Sequence, residues 1–497
     1  MKLLFSILSL FCLTFSSTCF AQNQGINNNW ILGYDSEWGL PFGITKMDFF
    51  SGTPTITYDS LEMEFNHTHA NISDDQGNLL FYTNGVYIAD ATNDTMLNGS
   101  GINPGAYANF VPDGLLISQG VLALKKPGSS NLFYLFHNTA DDYPNSSISF
   151  HLYLSVIDMN LNNGLGQVIL KNYPLINDSL NPGKITSCKH ANGRDWWIIC
   201  HRVNSDKYYK LLLTPYGLPQ VSTQNIGAIR PTGGGQAKFS YDGNYFGYFY
   251  NLGGLDLFQF DRCSGTFTNI FNDTNFTSPG IQKGLEFSPN SQFLYVCNTD
   301  QIFQYDLAST NILSSKMIVA QYDSFLNPPP FQLGTYFAYP LLAPDGKIYI
   351  TTGNGTFYMH TIDQPDQGGM ACSVSQHSVQ LPAFYFNTIP NHPNFFLGAL
   401  AGSPCDTLVG VGINEEPEII LKVFPNPASD FCTLSFPVKA MPGEIEVTNV
   451  LGEIILKETV APWSQFKRIA VGNFSAGVYH CRLRWGTEMA VVKFVKE

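Results

Sequence analysis

The stretch GLEFSPNSQFLYV (residues 284–296) decides the fold of most of this chain. It is typical of a β-strand that ends at Ser-Pro, a polar turn, and a second strand of large apolar residues. Closely related copies are AKFSYDGNYFGYF (237–249) and YPLLAPDGKIYIT (339–351), and looser copies are ANISDDQGNLLFYT (70–83) and CKHANGRDWWIIC (188–200). The repeat therefore predicts a series of similar antiparallel units.

The spacing of these units favours one architecture. The strands after each turn recur roughly every 45–65 residues, and further strand-like segments follow each copy, which is typical of four-stranded β-propeller blades. With the strand pair at 120–124 and 131–137 counted as a further unit, six units lie between residues 70 and 362, and strand-like segments remain at 30–50 and 383–400. We interpret these two segments as a seventh blade shared by both ends of the domain, and six blades is the alternative. The fold class is all-β.

Composition agrees with this fold class and limits the function. Of 497 residues, 44% are hydrophobic and only 13% charged, and the 14% of aromatic residues favours strands over helices. A net charge of −13 argues against binding to nucleic acid or to an anionic membrane surface. We predict no transmembrane segment, because no apolar run beyond the N-terminus reaches the roughly 20 residues that a membrane helix needs.

The N-terminus has the features of a secretory signal peptide. Residues 1–21 begin with Lys2, continue with an apolar run, and place small residues at Cys19 and Ala21. This predicts cleavage between Ala21 and Gln22. A lipoprotein with lipidated Cys19 is the alternative, but the polar Ser-Ser-Thr that precedes it is a poor approach to such a site.

Export would place the remaining eight of the ten cysteines in an oxidising compartment, where disulfides can form. Sequence position suggests three candidate disulfides, which are Cys188 with Cys200, Cys372 with Cys405, and Cys432 with Cys481. No Cys-x-x-Cys motif occurs, so the sequence predicts neither a zinc ribbon nor a thioredoxin-like site.

The last part of the chain differs from the rest. Residues 403–421 are rich in small and acidic residues and read as a linker. Residues 422–497 contain six short strand patterns, with clear alternation in IEVTNV and VYHCRLRW, which predicts a small Ig-like β-sandwich. The predicted organisation is a signal peptide (1–21), a β-propeller domain (22–402), a linker (403–421) and a C-terminal domain (422–497).

Four blocks in this C-terminal domain occur in the order of a known family. They are VFPNPASD (423–430), VTNVLGEII (447–455), FSAGVYHCRL (474–483) and the terminal VVKFVKE. With them the domain resembles the type A C-terminal sorting domain of the type IX secretion system. The resemblance implies the type IX machinery as partner, passage across the outer membrane, and a secreted or cell-surface product. The motif residues carried over are Pro425, Asn426, Pro427, Gly452, Gly477 and Tyr479.

The large domain resembles propeller-like, WD40-like regions of secreted proteins from the same bacteria, some of them gliding-motility-associated. The segments that carry this resemblance are GNLLFYTNG (77–85), SVIDMNLNNGLGQV (155–168), CKHANGRDWWIICH (188–201), GLEFSPNSQFLYV and LAPDGKIYI (342–350). The resemblance implies a fold and a location. It supplies no catalytic residue for this chain.

The residues themselves indicate little chemistry. His67 and His69 could reach one metal ion from the same side of a strand, but a third ligand at clear spacing is missing, so they are weak candidates. The Gly-rich run at 233–235 lacks the Lys and Ser/Thr of a phosphate loop and precedes a strand. We predict no catalytic residue and no cofactor.

These observations favour a secreted binding or adhesion module without catalysis, whose loops hold an unknown surface ligand, either a glycan or a protein. The alternative is a secreted carbohydrate-active enzyme, a glycoside hydrolase or lyase. That alternative requires two carboxylates at the mouth of the propeller channel, roughly 5–10 Å apart.

Overall fold

The computed structural model describes residues 25–142, 145, 148–276, 278, 280, 282–406, 421–424, 426–436, 439, 441–461, 466–486 and 488–497. These residues form two compact units, one within Asn23–Glu418 and one within Ile419–Glu497. The predicted signal peptide with its Ala21–Gln22 cleavage site, most of the predicted linker, and Pro425 lie outside the described residues. Within the described ranges, no helix has the length and apolarity needed to cross a membrane.

The larger unit contains, in its described part, seven antiparallel sheets whose strands pair in chain order. The first two sheets have three strands each: β1 (Asn29–Tyr34), β2 (Gly43–Asp48), β3 (Thr55–Asp59); β4 (Ala70–Ser73), β5 (Leu79–Thr83), β6 (Ile88–Asp90). The third to fifth sheets have four strands each: β7 (Val121–Lys125), β8 (Leu132–Asn138), β9 (Ser149–Asp158), β10 (Gln167–Leu180); β11 (Thr186–Lys189), β12 (Trp196–His201), β13 (Ser205–Leu213), β14 (Gln220–Arg230); β15 (Ala237–Phe239), β16 (Tyr245–Tyr250), β17 (Gly254–Asp261), β18 (Thr266–Asp273).

The last two sheets of this unit also have four strands each: β19 (Gly284–Phe287), β20 (Phe293–Cys297), β21 (Gln301–Asp306), β22 (Met317–Gln321); β23 (Pro340–Leu342), β24 (Ile348–Ile350), β25 (Thr356–Ile362), β26 (Val374–Tyr385). In the described part of the chain, helical structure is limited to one short helix, α1 (Ala106–Phe110), and to the 3-10 turns Ser36–Trp38, Asn162–Gly164, Leu313–Ser315 and Gly369–Cys372. The all-β prediction is therefore confirmed.

The quoted copies of the repeat form the first hairpin of the second, fourth, fifth, sixth and seventh sheets. In the copy at 284–296, the Asn290 side chain accepts hydrogen bonds from Ser288 Oγ (2.7 Å) and from the Gln292 amide (2.9 Å). In the copy at 237–249, Asp242 accepts from Ser240 Oγ in the same way (2.6 Å). Asn and Asp form such turns because their short side chains reach the backbone two residues further on. The polar positions of the repeat thus close turns.

Hydrophobic clusters join each sheet to the next. One cluster lies between the first and second sheets, and one is shared by the second, third and fourth. Three more join the fourth to the fifth, the fifth to the sixth, and the sixth to the seventh. A further cluster packs the seventh sheet on the first, where the rings of Trp30 and Tyr349 lie 5.6 Å apart. The order of packing is cyclic, as in a β-propeller, and each twisted sheet buries both of its faces against its neighbours.

The prediction that the two ends of the domain share one sheet is wrong. The segment at 30–50 belongs to the three-stranded first sheet, and β26, which ends at Tyr385, belongs to the seventh. The chain beyond Tyr385 contains Pro390 and Pro393, which cannot donate to a strand ladder. This part of the chain takes a different path, described below.

The smaller unit has two sheets. One pairs β27 (Lys422–Phe424), β28 (Phe431–Ser435) and β31 (Phe466–Ala470); the other pairs β30 (Ile454–Val460), β29 (Gly443–Asn449), β32 (Gly477–Trp485) and β33 (Glu488–Lys496). Buried residues of both sheets share a single hydrophobic cluster. The six strands predicted from alternation are all present, and β27 is the additional one.

Candidate ligand site at the centre of the ring

The chain that follows β26 runs through the centre of the ring of sheets. We call residues 386–406 the central segment. Its Asn391 side chain donates hydrogen bonds to the carbonyl oxygens of Val121 (2.7 Å) and Ile185 (2.8 Å). The next residue, His392, donates from Nε2 to the carbonyl oxygen of Asn71 (3.1 Å). These carbonyls belong to the first strands of the second and third sheets and to the entry of the fourth, so the central segment ties three sheets together.

Buried amides continue this network around the ring. Gln119 donates to the Asn391 side chain (3.2 Å) and exchanges two hydrogen bonds with the Ala237 backbone in β15 (2.8 and 3.0 Å). Gln236 accepts from the Leu285 amide in β19 (3.1 Å) and donates to the Pro340 carbonyl in β23 (3.5 Å). The centre of the ring is therefore lined largely by amide groups whose partners lie on neighbouring sheets.

One ion pair is buried at the centre. Lys238 Nζ lies 3.3 Å from Glu286 Oε2, and only 7% of each side chain is exposed. Glu286 also accepts from the amides of Phe287 (3.0 Å) and Leu342 (3.2 Å). Both residues stand two places before the serine of their repeat copies, so equivalent positions of adjacent first strands carry opposite charges. This alternation was the sequence signal that could have revealed the pair.

Two small cavities lie beside the central segment. The larger has a volume of ≈ 50 Å³ and is lined by Ser187, Lys238, Glu286 and His392 among others. The smaller, of ≈ 10 Å³, lies among His67, Gln119, Tyr339 and Asn391, together with neighbouring residues. One enclosed water needs about 10–15 Å³, so the two hold a few water molecules at most. Of the described residues, Glu286 contributes the only carboxylate to either lining.

The central segment leaves the ring across the fourth and fifth sheets. Asn394 donates to the Tyr241 carbonyl (2.6 Å), and Arg262 donates to the Gly398 carbonyl (2.5 Å). A disulfide between Cys263 and Cys405, with Cα atoms 5.5 Å apart, then fastens its end to the fifth sheet. Residues 142 apart in the chain form this bond, and nothing in their local sequence indicates the pairing.

The predicted disulfides are not the ones observed. Cys372 is a buried thiol in the cluster between the sixth and seventh sheets, while Cys405 bonds to Cys263. In the fourth sheet Cys188 lies opposite Trp197, so Cys200, three residues further on, faces the other side of the sheet. Both cysteines remain buried thiols in different hydrophobic clusters.

The third predicted disulfide falls in the smaller unit. Cys432 lies on β28 and Cys481 on β32, which belong to different sheets, and both residues are part of the hydrophobic cluster that the two sheets share. Both are buried thiols in this structure. Burial raises the pKa of Cys432 to about 11 and that of Cys481 to about 12, so neither forms a reactive thiolate near neutral pH.

His67 and His69 lie just before β4 rather than on a strand. The His67 ring lies 5.1 Å from Phe386 of the central segment, and the His69 ring lies 4.5 Å from Phe65. Burial lowers the pKa of His67 to about 4 and holds that of His69 well below its usual value, so both rings are neutral. Neither belongs to a group of three potential ligands; among the described residues only Asp35, Glu37 and Glu64 form one.

The described sorting-motif residues join the start of the smaller unit to its last strand. Asn426 Oδ1 accepts from the Val495 amide (2.8 Å), and Pro427 follows it directly. Tyr479 donates to the Ser475 carbonyl (2.8 Å), and its ring stacks on Phe494 at 5.5 Å. Gly452, with φ of 82°, closes the turn between β29 and β30, and Gly477 opens β32.

Comparison with solved structures found matches at low sequence identity. A putative 6-phosphogluconolactonase from Bacteroides uniformis is 13% identical, with 68% of this chain and 92% of that chain covered and a TM-score of 0.43. The periplasmic gluconolactonase of Pseudomonas aeruginosa is 12% identical, with 72% and 99% covered and a TM-score of 0.40. A quinonprotein alcohol dehydrogenase-like protein from Bacteroides thetaiotaomicron is 13% identical, with 72% and 75% covered and a TM-score of 0.37.

A comparison with curated proteins found no match. A comparison with protein families matched residues 422–497 to the secretion system C-terminal sorting domain. This match confirms the resemblance that the four sequence blocks indicated. The smaller unit is thus a type IX C-terminal sorting domain, and it marks this chain for export to the cell surface or beyond.

Proposed function

We propose that the chain is a secreted cell-surface protein whose β-propeller acts as a binding or adhesion module without catalysis. One observation carries the proposal: the chain's own central segment occupies the middle of the ring, where a propeller has its central channel. The two cavities beside this segment, of ≈ 50 and ≈ 10 Å³, hold a few waters at most. The loops at the faces of a rigid ring are then the surfaces available to a ligand.

The proposal includes a specific architecture. The seven sheets are seven blades of one ring, and the two sheets of the sorting domain form a β-sandwich around their shared core. The propeller domain includes Cys405, which is covalently bound to the fifth sheet, and so extends slightly beyond the boundary at residue 402. We further propose that this propeller is related to those of gliding-motility-associated surface proteins, on the segments quoted above.

The alternative is a carbohydrate-active enzyme, and it needs two convergent carboxylates. At the centre of the ring, the described residues offer Glu286, whose oxygens are engaged by Lys238 and by two backbone amides. A carboxylate held in this way is poorly placed to donate or accept a proton from a substrate. This arrangement supports binding rather than hydrolysis.

Two experiments test the proposal. Deletion of residues 422–497 should leave the protein in the periplasm, because the sorting domain is then missing; unchanged surface display would contradict the export route. The mature secreted protein should bind intact cells or a glycan array without releasing products from a panel of polysaccharides. Hydrolysis that is abolished by Glu286→Gln would instead establish the enzyme.

A further inference from the structure

Two neighbouring loops of the ring expose large apolar side chains together. One loop (residues 35–42) connects β1 and β2, and the other (322–339) connects β22 and β23. Trp38 is 76% exposed, Leu40 70%, Phe331 46% and Leu333 41%. The loops meet through Phe42, whose ring lies 6.4 Å from that of Phe331. We call these four exposed side chains, with Phe42, the apolar surface.

Hydrogen bonds hold the second loop in a defined shape. Asn327 donates from its amide to the Leu333 carbonyl (2.8 Å) and from Nδ2 to the Phe331 carbonyl (3.1 Å). Its Oδ1 accepts from the Phe357 amide (3.1 Å), which connects the loop to β25. A surface ordered before binding loses little conformational entropy when a partner docks. The exposed rings are therefore presented in fixed positions.

The first loop is fixed in the same way and carries acidic groups. The Trp38 amide donates to the Asp35 carbonyl (3.1 Å), and the Asp35 amide donates to Glu64 Oε1 (3.1 Å). Trp38 Nε1 donates to Glu37 Oε1 (2.9 Å), which places the indole beside the carboxylates. Oxygen atoms of Asp35, Glu37 and Glu64 lie within 4.8 Å of one another. The apolar surface therefore has an acidic border.

The two loops contribute no positive charge of their own to this border. Neither loop stretch, 35–42 or 322–339, contains a lysine, arginine or histidine. Burial and the neighbouring Asp35 raise the pKa of Glu64 to about 7, because burial disfavours the charged carboxylate and the charge of Asp35 repels it. A cation placed here would relieve this repulsion, whereas a neutral sugar would stack on the rings and leave the repulsion in place.

We propose that the apolar surface and its acidic border dock a basic, apolar peptide segment of a partner protein. A lysine or arginine of that segment lies against Glu37 and Glu64 and over the Trp38 ring, where a cation is attracted by the aromatic face. Its apolar side chains cover Leu40 and Phe331. The inference rests on the proposed binding function and names the class of ligand for it.

The test measures peptide binding to the full-length mature protein by fluorescence anisotropy. The probe is a labelled synthetic peptide with the order Lys-Leu-Arg-Phe-Lys-Leu, and its counterpart has glutamate in place of each basic residue. We expect the basic peptide to bind at least tenfold more tightly than the acidic one. We expect Trp38→Ala and Glu37→Gln each to weaken binding at least fivefold, because both remove contacts without disturbing buried structure.

Matched controls separate this surface from the overall negative charge. Tyr216 is 79% exposed on the β13–β14 loop, and Asp75 is exposed in the β4–β5 turn. Tyr216→Ala and Asp75→Asn should change the affinity less than twofold. If they weaken binding as much as the Trp38 and Glu37 variants, the peptide is held by net charge and the inference is overturned.

A parallel assay distinguishes failure of this inference from failure of the proposed function. Wild-type and Trp38→Ala proteins are compared for binding to intact cells and to neutral oligosaccharides. Wild-type binding that is unaffected by Trp38→Ala, or a neutral sugar bound in place of the basic peptide, overturns the inference and leaves the binding function standing. Absence of binding to the peptide, to cells and to glycans overturns both.

Discussion

Replacing Asn391 with alanine removes the side chain that connects the central segment to the third and fourth sheets. The change deletes hydrogen bonds to the Val121 and Ile185 carbonyls and the bond from Gln119. Asn391 is only 5% exposed, so water cannot readily replace these partners. Each buried polar group left without a partner costs about 1–3 kcal/mol. Gln119 keeps its bond to Ala237, so the expected loss is about 3–5 kcal/mol.

Differential scanning calorimetry of the full-length protein measures this loss. The entropy of unfolding is about 2 cal/mol/K per residue, so a unit of the size of Asn23–Glu418 has an unfolding entropy of about 0.8 kcal/mol/K. The melting temperature of the larger unit should therefore fall by about 5 °C. Limited proteolysis should also cut the central segment faster in the variant, because the segment opens more often.

Asn225→Ala is the matched control, since this exposed asparagine makes a single bond to Asp206 (2.6 Å). This variant should lose about 0.5 kcal/mol of stability, the effect of an ordinary surface substitution. The reasoning is refuted if Asn391→Ala melts within about 1 °C of the wild type. In that case the central segment would lie in the ring without holding it together.

Three further predictions concern the same region. The double variant Cys263→Ser, Cys405→Ser lacks the disulfide between residues 142 apart, and its free energy of unfolding should fall by about 4–5 kcal/mol because the unfolded chain is no longer constrained. Calorimetry measures this loss, and equal melting temperatures of the variant and the wild type would contradict it. Lys238→Met leaves Glu286 buried without its partner and should destabilise by about 3–5 kcal/mol in urea unfolding, with rescue by a second change of Glu286 to Gln. Burial lowers the pKa of His392 to about 3, whereas the same side chain in the unfolded chain has a pKa near 6.5. The unfolded chain therefore binds more protons between these two values, and the free energy of unfolding should fall as the pH drops from about 6.5 toward 3. The fall should be less steep in His392→Asn, and identical pH profiles of the two proteins would contradict this.

The repeat could be interpreted from the sequence because its determinants are local. The turn at Ser288–Gln292 needs only the side chains of Ser288 and Asn290 and its own backbone, and the flanking apolar residues indicate the strands by themselves. The sorting domain was readable for a similar reason, since its strands alternate clearly and its blocks occur in a fixed order. Blade-like units and the route of export followed from these patterns.

The candidate site could not be predicted in the same way. The central segment mixes apolar and polar residues without a regular alternation, and its prolines argue against a strand, but nothing in it indicates its partners. The partners of Asn391 lie about 200 and 270 residues earlier in the chain. Cys263 and Cys405 are 142 residues apart, and the sequence around them does not indicate that they pair. Lys238 and Glu286 were visible as charged residues in apolar strands, but their pairing depends on which sheets become neighbours.

The sequence by itself determined the hairpins, the all-β class and the export route of this protein, because turn chemistry, alternation and the sorting motif each depend on residues close together in the chain. Only the tertiary structure decided what occupies the middle of the ring and which loops meet at its surface. Both depend on segments distant in the chain coming into contact, as Asn391 does with Val121 and as Phe42 does with Phe331. The hydrogen-bond partners of a buried amide and the neighbours of an exposed ring are residues that come together only when the whole ring of sheets has formed.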